Sequence, residues 1–195
     1  MSRLVAFGCS HTYGLELPDC PTIHDPPSKM GFPNILGKKL GLEVVNRSDT
    51  GASQRQIAAT ILETDFKPDD LVIINWANIN RRGIWNGSHW EQLAGWNNDK
   101  TWQRYYAKYH YHKDDVLDTT MNIKLANMFL KNKCIRIINS LHTYEEDIVN
   151  STFSWNDIKI DIIFNDRDFY YKTLSQGHPD LKSHQVFAKR LFKII

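Results

Sequence analysis

Short runs that are apolar on both faces alternate along this chain with stretches whose apolar residues recur at helical spacing. Arg3-Leu4-Val5-Ala6 reads as a buried first strand, Val44-Val45 as a second, Leu71-Val72-Ile73-Ile74 as a third and Cys134 to Leu141 as a fourth. Strands hydrophobic on both faces belong inside a parallel sheet covered by helices. Met30 to Leu40 predicts a helix with Phe32, Ile35, Leu36 and Leu40 on one side and Gly41 as its stop. A second, from Gln54 to Thr64, turns Ile57, Ile61 and Leu62 inward, and the same periodicity from about Thr101 to Asn132 predicts a core stripe of Val116, Leu117, Met121, Leu125, Met128 and Phe129. A C-terminal helix, opened by His178-Pro179, carries Leu181, Val186, Phe187, Leu191 and Phe192 toward the sheet. This alternation predicts one domain over residues 1–195, a three-layer α/β/α sandwich with a mainly parallel sheet.

Three stretches depart from the pattern. Residues 15 to 29 hold four of the seven prolines among acids and a histidine, and read as a surface loop near any site at the first strand's end. From about 79 to 112 the chain holds Trp85, Trp90, Trp96, Trp102, Tyr105, Tyr106, Tyr109 and Tyr111 among basic and amide residues, which reads as an insertion. Its rings suit sugars or bases, and Arg81 and Arg82 suit an anionic group; a satellite core under a long insertion would use the same rings. Residues 143 to 176 are the least legible: Ile158 to Ile162 alternates like a strand, after a loop from Thr152 to Asp157.

Charge changes this picture little. Twenty-four Lys and Arg stand against 22 Asp and Glu, a net charge of +2, which nominates neither nucleic acid nor membrane as a partner. No run of eighteen apolar residues and no apolar N-terminal signal segment is seen, so a soluble, cytoplasmic protein is expected. Cys9, Cys20 and Cys134 are odd in number and widely spaced, which fits a reducing compartment and not a zinc site. His11, His89, His110 and His112 lack metal-ligand spacing with a carboxylate, so neither metal nor cofactor is expected.

The chemistry concentrates at strand ends. Phe7-Gly8-Cys9-Ser10-His11-Thr12-Tyr13-Gly14 sets a hydroxyl between two glycines just past the first strand, where ligands of open α/β sheets sit. An ordinary strand-to-loop turn capped by Ser10 and Thr12 accounts for this stretch equally well. Gly51, in Ser48-Asp49-Thr50-Gly51-Ala52-Ser53, lets backbone approach a ligand or simply makes a turn. Asn75, Trp76 and Asn78 emerge after the third strand. Asn139, Ser140 and His142 end the fourth, His142 being a lesser candidate.

Four blocks in this order resemble the SGNH or GDSL hydrolase family. Gly8-Cys9-Ser10 with Thr12 and Gly14 is similar to its first block, and Asn46 with Gly51-Ala52-Ser53 to its second. Trp76-Ala77-Asn78-Ile79 is similar to the third, and Ser175-Gln176-Gly177-His178-Pro179 followed by Ser183-His184 to the fourth. Three family positions differ: Cys9 stands for an acid, Trp76 for a glycine, and Ser175 for the aspartate that orients the histidine. The resemblance implies a flavodoxin-like sandwich and hydrolysis of an ester without a cofactor. Ser10 would be the nucleophile, His178 the base, and the amides of Ser10 and Gly51 with the Asn78 side chain the oxyanion hole. Asn80 is the fallback for Asn78.

The missing aspartate leaves Ser175 itself, a backbone carbonyl, Asp166, Asp168 or Asp180 to orient His178, and activity is expected to be weak if none does. Pairing of Asp180 with His184, four apart on one helix face, competes with a first-turn role for Asp180. The expected substrate is a small-molecule or glycan ester with a short acyl group, such as O-acetyl on a carbohydrate, with Arg81, Arg82, Trp85 and His142 as substrate contacts. Two other readings stand beside it: a catalytically impaired protein of this fold that binds a glycan or another polar ligand, and a flavodoxin-like nucleotide binder, for which the glycine spacing is poor. Oligomeric state is not written in the sequence.

Overall fold

A computed structural model describes residues 2–93, 100–109, 111–133, 135–142, 160–164, 174 and 177–195. Five parallel strands form the central sheet: β1 (Arg3–Gly8), β2 (Glu43–Asn46), β3 (Leu71–Trp76), β6 (Arg136–His142) and β7 (Ile162–Phe164), in the spatial order β2-β1-β3-β6-β7. A separate antiparallel hairpin joins β4 (Arg82–Trp85) to β5 (Trp90–Leu93). Among the described residues the helices are α1 (Ser10–Tyr13), α2 (Phe32–Leu40), α3 (Gln54–Glu63), α4 (Lys100–Tyr109), α5 (His112–Lys131) and α6 (Leu181–Phe192).

Period-two alternation along β1 and β3 divides the core between the two faces of the sheet. Val5, Phe7, Val72, Ile74 and Trp76 meet Ile57, Ala58 and Ile61 of α3 and Val116, Ile123, Ala126 and Leu130 of α5. Leu4, Ala6, Leu71, Ile73 and Ile138 meet Phe32 and Leu36 of α2 and Phe187, Ala188 and Leu191 of α6. The expected three-layer sandwich is the architecture found.

Helix phase was read less well. The stretch expected as one helix from Thr101 to Asn132 is two, α4 and α5, and α5 presents a different face to the core. Leu117, Met121, Leu125 and Met128 point to solvent, with Met121 and Met128 62% and 67% exposed. Buried in their place are Asp115, Val116, Thr119, Ile123, Ala126 and Leu130. Two causes fix this rotation: Asp115 must reach Arg82 Nε, at 2.9 Å, and small Ala and Thr side chains let α5 lie close to α3. Leu62 of α3 and Phe192 of α6, expected inward, are likewise exposed. Cys9 and Cys20 are buried free thiols. Among the described residues no helix is long and apolar enough to cross a membrane.

Candidate active site

Because β1, β2 and β3 run parallel side by side, their carboxyl ends open at one edge of the sheet. Register pairs Ala6 with Asn46 and Gly8 with Asn75, so Ser10, Gly51 and Asn78 all leave the sheet there. α1 begins directly at Ser10 and folds back over β1. A Cβ at Gly8 would lie 2.1 Å from Thr12 Oγ1 and 2.9 Å from the Asn75 carbonyl, so only glycine permits this fold-back. Gly14, at φ 80°, ends α1 after one turn. Ser10 is buried in this turn.

Side chains of the following segments pin the neighbouring loops. Asn46 Nδ2 donates to the Thr12 carbonyl at 3.0 Å, which ties β2 to α1, and Asp49 N–H donates to the Gly8 carbonyl at 3.1 Å. The turn then reaches Gly51 at φ 75°. Among the described residues neither the Ser10 nor the Gly51 backbone N–H donates to a protein acceptor. Asn78 accepts the Asn80 N–H on Oδ1 at 3.2 Å, which constrains the amide plane and keeps Nδ2 as its donor end. Asn80 serves this turn with its backbone and is exposed.

His178 arrives from the far end of the chain. Its ring stands edge-on to that of His11, the neighbour of Ser10, with centroids 5.9 Å apart. Its Nδ1 donates to Glu16 Oε2 at 2.9 Å, with the two side chains only 14% and 8% exposed. An ionised carboxylate only accepts, so in the neutral ring this contact places the proton on Nδ1 and leaves Nε2 with the lone pair. The sequence reading passed over Glu16, taking residues 15 to 29 as a loop. A legible signal was there: an acid flanked by the apolar Leu15 and Leu17, one turn after the candidate nucleophile. Both leucines are buried.

The other candidates fall in various places. Asp180 does not orient His178: it caps α6, accepting the Ser183 N–H at 2.8 Å and the Ser183 hydroxyl at 2.6 Å. Its carbonyl accepts the His184 backbone N–H at 3.2 Å, but its carboxylate does not hold the His184 ring, whose Nδ1 accepts the Phe32 N–H at 3.1 Å and so serves the start of α2. Burial is the main force on His184 and holds it near pKa 4; Asp180 pushes back weakly and the neighbouring His178 adds to the fall. Arg82 turns to Asp115 and not to the site. Burial alone would lower its pKa, and the bond and charge of Asp115 more than offset this. Arg81 is half-buried where the chain turns after Asn78. Ser175, Asp166, Asp168, Trp96, His110 and the His142 side chain lie outside the described residues.

Trp76, where the resembled family has glycine, is fully buried and donates from Nε1 to Asn139 Oδ1 at 2.9 Å, locking β3 to β6. The hairpin after it borders the site. A Cβ at Gly83 would lie 2.3 Å from Ser53 Oγ, so β4 presses on the residue that caps α3. Gln92 of β5 reaches Gly51, 3.3 Å from where a Cβ there would stand, and donates to Gln56 Oε1 at 3.0 Å. On the hairpin's outer edge Trp85 is 54% exposed and meets Trp90 edge-on at 5.8 Å.

No protein-family model matches the sequence, and no curated protein is similar to it by sequence. Solved structures are similar in fold. TesA superposes with a TM-score of 0.60 at 13% identity, over 99% of this chain and 97% of that one. A member of the lipolytic protein G-D-S-L family from Veillonella parvula DSM 2008 superposes at 0.54 and 11% identity, over 100% and 98%. Est2A, an acetyl xylan esterase from the rumen bacterium Butyrivibrio proteoclasticus, gives 0.58 at 16% identity, over 98% of this chain and 63% of that one. The chain therefore has the mixed α/β fold, with a mainly parallel sheet, of the SGNH/GDSL hydrolases.

Proposed function

We propose that this protein hydrolyses an ester through Ser10 and His178. What supports the reading is a buried serine just after β1, the Ser10 and Gly51 N–H groups, which have no protein acceptor among the described residues, the Asn78 amide just after β3, and an imidazole held at Nδ1 next to His11, the neighbour of Ser10. Orphan donors beside a hydroxyl suit a carbonyl oxygen that becomes an oxyanion. Ser10 Oγ attacks the acyl carbon while its proton passes to His178 Nε2, and the oxyanion is held by the Ser10 and Gly51 N–H groups and Asn78 Nδ2. The tetrahedral intermediate collapses to an acyl-serine as Nε2 returns the proton to the departing alcohol. Water then repeats the sequence, releasing the acid.

The acceptor side of the substrate is read as a carbohydrate. The exposed Trp85, edge-on to the half-buried Trp90, forms an aromatic edge on the hairpin beside Gly51, a surface suited to a sugar face. Among the proteins of similar fold are carbohydrate esterases, one described in complex with cellohexaose. A short acyl group such as acetate is the proposed acyl part. Short-chain nitrophenyl esters and acetylated oligosaccharides, assayed with wild type and Ser10→Ala, test the reading: turnover that needs Ser10 supports it, and full turnover by Ser10→Ala refutes it.

A further inference from the structure

We propose that Glu16, supplied by the nucleophile's own loop, is the positioning acid of the site, holding His178 in one tautomer and stabilising its charged form. This inference rests on the hydrolase reading above. Glu16 stands six residues after Ser10, and its carboxylate and the His178 ring form a 2.9 Å contact largely shielded from water. In that setting a carboxylate beside an imidazole strengthens each proton transfer to Nε2, because the imidazolium forms next to a fixed negative charge.

Two further features support a dedicated role. Glu16 is the one non-glycine residue at positive φ among the described residues, at 69°, a strained conformation for an ordinary side chain. The surrounding loop holds it there. Its N–H donates to the Cys20 carbonyl at 2.9 Å, and Cys20 N–H closes the Leu17-Pro18-Asp19-Cys20 turn at 2.8 Å, with Leu15, Leu17 and Cys20 buried as anchors. Asp19 then accepts the Lys29 N–H at 2.8 Å and the Met30 N–H at 3.2 Å, tying the loop's far end to its near one. Burial would raise the Asp19 pKa, and the bonds from Ser28, Lys29 and Met30 bring it below its ordinary value. This frame fixes the backbone from which the Glu16 side chain reaches His178.

A serine-directed fluorophosphonate reads the site without knowledge of the natural ester, since its attack by Ser10 uses the same proton transfer to His178. Wild type should be labelled at Ser10 and Ser10→Ala should not; no labelling of wild type at that residue would refute the hydrolase reading itself. With labelling established, Glu16→Gln should react about a hundredfold more slowly while Glu16→Asp recovers part of the rate. A downfield Nδ1–H proton resonance of His178 should be present in wild type and lost in Glu16→Gln. Glu16→Asn, whose side chain tolerates positive φ, guards against misfolding and should be folded yet equally slow. Labelling of Glu16→Gln or Glu16→Asn at the wild-type rate, or a downfield resonance that survives both, overturns the assignment.

Discussion

His184 ties acid sensitivity to one buried ring. It has no exposed surface, stacks on Phe32 at 6.1 Å between centroids, and accepts the Phe32 N–H on Nδ1. Burial holds its pKa near 4, against an ordinary value of 6.5. Above pH 6.5 the ring is neutral whether the chain is folded or unfolded, and its favourable contacts count in full. Between 6.5 and about 4 the unfolded chain takes up a proton that the folded one refuses, so stability falls as pH falls. The slope is about 1.4 kcal/mol per pH unit, or about 2.5 kcal/mol between roughly pH 7 and pH 4.5. Protonation would also remove the acceptor that Phe32 N–H uses. His184→Asn retains an acceptor oxygen and cannot titrate here. Urea unfolding at both pH values gives the difference of differences, which cancels any uniform loss from the smaller side chain. The wild type should lose about 2.5 kcal/mol more than His184→Asn on acidification. Equal losses within about 0.5 kcal/mol would refute burial of a neutral ring as the cause.

Three further outcomes follow from the geometry. Asn78→Ala should lower kcat by about a hundred- to a thousandfold with KM little changed, as for loss of one oxyanion donor, measured on whichever ester Ser10 turns over. Gly83→Ala should destabilise the domain by about 1–2 kcal/mol in urea, because the new methyl displaces Ser53 Oγ and breaks the α3 cap it makes to Gln56 N–H. Arg82→Met should cost about 3 kcal/mol by leaving the carboxylate of Asp115 buried without its guanidinium, and Arg82→Met with Asp115→Leu should recover much of that loss in the same assay.

The sheet was legible because β1 and β3 are apolar on both faces, a pattern with few alternative placements. Helix phase on α5 was not. That helix carries apolar residues on two sides, and the choice between them is made by Asp115, a polar residue that periodicity counts against burial. Ser10, Gly51 and Asn78 were readable as strand-end residues, since each follows its strand within a few positions. Glu16 was missed because the contact that gives it meaning spans 162 positions. Asp180 attracted a functional reading by standing near His178 in sequence, whereas its position at a helix start already accounts for it. The role of Trp76 likewise needed the β6 partner Asn139, invisible along the chain.

That long-range contact has a consequence for how competence is lost. The proposed nucleophile and base lie 168 positions apart in sequence, and the helix after His178 packs through Phe187, Ala188 and Leu191, with Phe187 edge-on to Phe32 at 4.8 Å and His184 accepting the Phe32 N–H. A helix docked on one face of a sheet is the kind of unit that can detach locally before global melting. On the proposed assignment, placing His178 beside the first strand's loop would depend on the docking of α6, which contributes no strand to the sheet. On gentle heating the proposed activity should be lost below the global melt, and it should recover on cooling as α6 docks again on its face of the sheet.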